Sequence, residues 1–162
     1  MNQANEALAL GINHATAVVM RYTEDLKGDE WTHRPCASAN CAAWTLGHLI
    51  IAARGMMTRA GATDLPPLPD GFEKRFGRGE DAPKANDFGD TNILRPLFKD
   101  THDRFAAMAR ELSQEQLDKV INADHPFFKN VGTMFAFAPV HIGTHAGQIT
   151  IMRRSLGRPP LM

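Results

Sequence analysis

The chain has 162 residues, 43% hydrophobic and 22% charged, proportions that fit a folded globular protein and exclude a disordered or fibrous one. Eighteen Lys and Arg balance eighteen Asp and Glu, and this zero net charge weighs against a nucleic-acid surface built on a basic face. No apolar run reaches the roughly 18 residues of a membrane span, and "MNQANEALAL" lacks the basic stretch of a secretion signal, so a cytoplasmic protein without a membrane partner is expected.

A chain of this length can bury one core without disulfides or metals, so residues 1–162 are expected to form a single domain. A bound metal would then serve chemistry rather than hold the fold. Residues 5–27 carry apolar side chains at Leu8, Ile12, Ala15, Val19, Tyr22 and Leu26, the spacing of one amphipathic helix face. "KGDEWTHRPCASAN" then reads as a connection with turns. Its Cys36, and Cys41 just beyond, have neither C-x-x-C spacing nor a second pair, and are expected to be free thiols. A second helix is expected from Asn40, a good N-cap type, to about Arg59, with Trp44, His48, Ile51 and Gly55 inward.

Residues 61–90 are rich in Pro, Gly and charge and predict a long loop with at most a short helical turn, crossing from one end of the bundle to the other. Within it, "FEKRFGRGED" sets Lys74, Arg75 and Arg78 beside Phe72 and Phe76, but Glu73, Glu80 and Asp81 cancel the charge of that patch. A third helix is expected from Asp90 or Thr91 to Leu112, with Leu94, Leu97, Phe98, Thr101, Phe105, Met108 and Leu112 inward and Pro96 tolerated in the first turn. Ser113 and Gln116 form a capping-box pattern that opens a short helix. After the loop "INADHPFFKNVGT", a last helix over 132–156 places Met134, Ala138, His141, His145, Gln148, Met152 and Leu156 on one lane and stops at Gly157. Pro139 objects to it, at about 3 kcal/mol, unless the helix starts later or bends. With no alternating strand pattern, these helices predict an all-α four-helix bundle.

Of seven histidines, His14, His33, His102 and His125 read as solvated or locally bonded residues of helix surfaces and loops, His102 bordering an inward stripe. His141 and His145 share a helix face one turn apart and lie on the inward lane, where their nitrogens need partners. His48 is also inward, so the three imidazoles can form a metal site with an open position, the pattern of catalytic zinc and related ions. Spacing alone leaves the ordinary reading, histidines satisfied by neighbouring groups, equally open. Ile142, Gly143 and Thr144 supply no glutamate, which excludes the H-E-x-x-H protease mechanism.

"WTLGHL" at 44–49, followed by "HIGTHAGQITIMRRSLGRPP" at 141–160, resembles the DinB-like family, including its YfiT-like metal-dependent members. The resemblance implies a bundle of up-down-down-up connectivity, with the 61–90 segment as crossover. It also implies a divalent metal, zinc or nickel first, on His48, His141 and His145, and a homodimer. Some relatives are thiol-dependent transferases or isomerases that use low-molecular-weight thiols such as bacillithiol or mycothiol. Pro139, Ala146 and Gly147 depart from the common pattern around the histidine pair without removing a ligand.

The function expected is a metal-dependent enzyme acting on a small molecule, by thiol transfer or by hydrolysis. The ion would lower the pKa of a bound thiol or water. Trp44 and Gln148 are the candidate supporting residues, and the 61–90 segment is the expected outer wall. Two alternatives use the same residues: a non-catalytic metal-binding stress-response protein, and a structural bundle that binds no metal.

Overall fold

The computed structural model describes residues 2–77, 84–159 and 161; Arg78, Glu80, Asp81 and Pro160, named above, lie outside them. The chain folds as an all-α bundle of four long helices and two short ones: α1 (Gln3–Tyr22), α2 (Ala42–Arg59), α3 (Phe72–Phe76), α4 (Leu94–Glu111), α5 (Gln114–Asp118) and α6 (Val131–Ser155). No strand forms among the described residues, where the only β pairing is an isolated bridge between Val120 and Asn130.

Hydrogen bonds between helix ends fix the directions. Asn5, near the start of α1, donates to the carbonyls of Arg110 and Leu112 at the end of α4 (3.2 and 2.7 Å). Arg95, in the first turn of α4, donates to the carbonyl of Met20 near the end of α1 (3.2 Å), so these helices are antiparallel. At the far end of α6, Arg153 donates to the carbonyl of Tyr22 (2.9 Å), which makes α6 parallel to α1. Asn40, just before α2, bonds Gln148 late in α6 (3.2 Å), and Met56 late in α2 faces a cavity with Met134 early in α6. The result is up-down-down-up, with neighbours in the ring order α1, α4, α2, α6. Two consecutive parallel helices, α2 and α4, require a long return, and residues 61–93 provide it.

The helix boundaries follow from local chemistry. α1 begins at Asn2, whose side chain accepts from the N–H of Ala4, and ends at Thr23, so Leu26 is buried in the connection instead of on the helix. The predicted N-cap of α2 is displaced by one residue: Cys41 caps it, and the Asn40 side chain is committed to Gln148. The Ser113/Gln116 capping box forms as expected, with bonds of 2.8 and 3.1 Å. Before α4 the chain makes a 3-10 turn at Thr91–Ile93, and Pro96 falls in the first turn of α4. α6 starts at Val131, capped by Asn130, and runs through Pro139, so the helix does not start later to avoid the proline. Opposite that ring is Gly11 of α1, where a Cβ would stand 3.3 Å from Pro139 Cγ.

Burial corrects several lanes. In α1 the fully buried line is Asn5, Ala9, Ile12, Thr16 and Val19, while Leu8, Ala15 and Tyr22 flank it half-buried. In α6 the expected lane is buried at Met134, Ala138, His145 and Met152, half-buried at His141 and Leu156 and exposed at Gln148, with Phe135, Ile142, Ala146, Ile149 and Arg153 buried beside it. Arg153, buried at the end of α6, pairs with Asp25 after α1, and Arg158 binds both Asp25 and Glu30. These guanidiniums hold both carboxyls below the usual carboxylate range and tie the end of α6 to the first connection.

Candidate metal centre

His48 is placed by the second turn of α2. One turn before it, Trp44 stacks flat on its imidazole, with ring centroids 4.7 Å apart and planes within 5°. Such a face-to-face contact covers the ring face and not the ring edge, where both nitrogens sit. Between them in sequence, Gly47 lets the crossover approach: a Cβ there would come within 2.2 Å of the Phe76 ring. Phe76 and Phe72 are buried on α2, so the aromatic part of "FEKRFGRGED" serves packing and is not presented to solvent.

α6 contributes His141 and His145, whose ring centroids are 4.8 Å apart, as two residues one turn apart must be. The His48 ring lies 5.5 Å from His141 and 5.0 Å from His145. One ligand nitrogen from each residue lies within 4.8 Å of the others. Tetrahedral donors about 2.1 Å from one ion are roughly 3.4 Å apart, so small side-chain rotations suffice to close the set. His48 and His145 are buried and His141 is half-buried.

The supporting residues fit the same purpose. Gln148 Oε1 accepts from His145 Nδ1 at 3.1 Å, which puts the ring hydrogen on Nδ1 and the lone pair on Nε2. The same oxygen accepts from Asn40 Nδ2 at 3.2 Å, joining α6 to the entrance of α2. Among the described residues the donor set is three imidazoles with no carboxylate or thiolate; Cys41 is buried, with its thiol pushed up by desolvation, and Cys36 is exposed. Three imidazoles suit zinc, nickel, iron and copper rather than magnesium or calcium.

His48 and His141 line a cavity of about 630 Å³. Its outer wall differs from expectation: it is made by Ile121–Phe128, between α5 and α6, and the 61–90 segment contributes only Gly77 among the described residues. This wall is aromatic. Phe127 stacks on Phe137 at 5.2 Å, and Phe137 in turn stacks on His141 at 6.2 Å. The sequence marks "HPFF" only as loop, because no periodicity identifies a loop as a wall. His125, half-buried there, accepts from the backbone N–H groups of Phe127 and Phe128 (3.2 Å each) and stacks on Phe128.

The other histidines stay outside the cluster. His14 is exposed, and His33 bonds Ser155 at 2.8 Å. His102 corrects the solvated reading: it is fully buried on α4, and its Nδ1 donates to the carbonyl of Phe98 at 2.8 Å. Desolvation pushes its pKa down to about 4. His102 is not among the described residues whose candidate ligand atoms lie within 4.8 Å of one another, which are His48, His141 and His145.

No described helix is long and apolar enough to cross a membrane. No curated protein and no solved structure matches the chain. The sequence pattern of one family does match, over residues 12–149, a span that contains α2, the crossover and all three clustered histidines. The chain therefore belongs to the DinB superfamily.

Proposed function

We propose that His48, His141 and His145 hold one divalent metal ion, zinc or nickel, and that the protein is a metal-dependent enzyme acting on a small molecule in the adjoining cavity. The observation that carries this reading is the convergence of three imidazoles at the base of a cavity of about 630 Å³, with two of them in its wall. When bound, such an ion supplies Lewis acidity, lowering the pKa of a coordinated thiol or water so that a nucleophile exists at neutral pH. Transfer to or from a low-molecular-weight thiol is the preferred reaction class and hydrolysis the second.

The chain's own residues have separate tasks. Trp44 holds the plane of His48 and Gln148 holds the tautomer of His145, so the ligand nitrogens are pre-oriented. Phe127, Phe128 and Phe137 give the wall an apolar face against which the body of a substrate can pack. No Asp or Glu is among the described lining residues. A homodimer is part of the proposal: Val140 and Ile151 are 59% and 55% exposed on α6, and a Cβ at Gly143 or Gly147 would meet nothing within 4 Å.

Elemental analysis of tag-free protein tests the site. One equivalent of metal in the wild type, lost in His48→Ala, His141→Ala and His145→Ala, is expected; unchanged content in the variants refutes it. Thiol consumption with electrophilic substrates, with and without zinc or nickel, tests the enzyme. Metal binding without turnover of thiols, esters or amides supports the passive metal-binding reading instead.

A further inference from the structure

Among the described residues, Arg59 is the one permanent cation in the cavity wall, and the metal centre does not use it. It is the last residue of α2, and its Nη1 donates to the carbonyl of Gly55 at 3.2 Å. The guanidinium is therefore folded back along α2 toward the histidines rather than extended past the helix end. Among the described residues no carboxylate pairs with Arg59, and no Asp or Glu lines the cavity.

The groups that share the wall with it are donors. Asn122 offers its amide, and His125, whose Nδ1 accepts two backbone N–H groups, carries its ring hydrogen on Nε2. Ile51, Met56, Phe127 and Phe137 make the remaining lining largely apolar. Gly55 follows His48 by seven residues, so the guanidinium and the metal centre are on the order of 10 Å apart along the helix.

We propose that Arg59 determines the cavity's specificity and that its ligand is a small monocarboxylate. The carboxylate pairs with the Arg59 guanidinium. An apolar body of roughly six to eight carbons, matched to the ~10 Å separation, crosses Ile51 and the aromatic wall. The opposite end of the ligand reaches the three histidines. A single guanidinium, with no other Lys or Arg among the described lining residues, matches one negative charge, whereas a dianionic phosphate would bring a second charge into an apolar wall without a partner. That the far end is the reacting end rests on the function proposed above; the carboxylate preference rests on Arg59 and the cavity alone.

The test is calorimetric titration of the whole chain, metal-free and zinc-loaded, with octanoate, octanamide and butyrate. Octanoate is expected to bind the wild type roughly tenfold more tightly than octanamide, the contribution of one charge-assisted contact. In Arg59→Gln that ratio is expected to fall to about one while octanamide binds as before, and Arg59→Lys is expected to keep part of it. Butyrate, too short for the apolar wall, is expected to bind more weakly than octanoate. Equal affinity for acid and amide in the wild type, a ratio unchanged in Arg59→Gln, or butyrate as tight as octanoate overturns the proposal. Metal content read on the same samples separates the two ideas: acid preference in a chain that binds no metal refutes the metal centre alone, and metal binding without acid preference refutes the Arg59 reading alone.

Discussion

Substituting Gly47 by Ala tests whether the crossover is locked onto α2 by close approach. Glycine within a helix is normally a weakness, and Ala in its place is worth about 1 kcal/mol. Here the added Cβ would lie 2.2 Å from two ring carbons of Phe76 and 2.7 Å from its Cβ, too close for any adjustment short of moving the ring. Phe76 is 1% exposed, and displacing a buried phenylalanine forfeits about 2–3 kcal/mol of burial. Gly47→Ala is therefore expected to destabilise the wild type by roughly 1–2 kcal/mol, lowering Tm by about 2–8 °C for a chain of this size. In a Phe76→Ala background, itself costly by about 3 kcal/mol or more, the obstruction is gone and the same substitution should stabilise by about 1 kcal/mol. Urea unfolding followed by circular dichroism at constant m-value gives all four corners of the cycle. The reversal of sign is the prediction; Gly47→Ala with the same sign and size in both backgrounds refutes the close approach.

Gln148→Leu removes the acceptor that holds the His145 tautomer and is expected to weaken metal binding roughly 10–100-fold, measured by competition with a chromogenic chelator. Full affinity in that variant would exclude a role for the amide. His102, with Asp103 and His141 as its charged or titratable neighbours, has its pKa depressed to about 4 from 6.5. Its contribution is whole above the unfolded pKa, falls as the pH drops through 6.5, and is gone below about 4; the full interval is worth on the order of 3 kcal/mol. Metal-free His102→Leu should accordingly lose less stability than the wild type between pH 7.5 and 4.5 in chemical denaturation, and equal losses would refute the assignment. The joint substitution of Val140→Arg and Ile151→Glu should convert a sedimenting dimer to a monomer without changing helicity, and an unchanged sedimentation coefficient would place the interface elsewhere.

Much of this molecule is written in local chemistry. Helix periodicity marks α1, α2, α4 and α6, the Ser113/Gln116 pair marks the start of α5, and Gly157 with its positive φ marks the end of α6. The two histidines of α6 are bound to share a face because four residues make about one turn, a constraint that no tertiary contact can change. Their meeting with His48 is a different matter: it depends on α2 and α6 lying antiparallel as ring neighbours, which only packing decides.

The rest is tertiary for a physical reason. Whether a lane position is core or cavity edge depends on what stands opposite: His141 and Gln148 read as core from their spacing, but His141 lines a pocket and Gln148 is exposed. Within α4 the sequence shows only that His102 borders the inward stripe, and its hydrogen bond to Phe98 could equally form at a surface. Loops carry no periodicity, so neither the aromatic wall of Phe127 and Phe128 nor the packing of Phe76 on Gly47 could be read before the crossover and the loop were in place. Arg59 ends a helix in the sequence as any surface arginine would, and only the fold turns that position into the cationic end of a cavity.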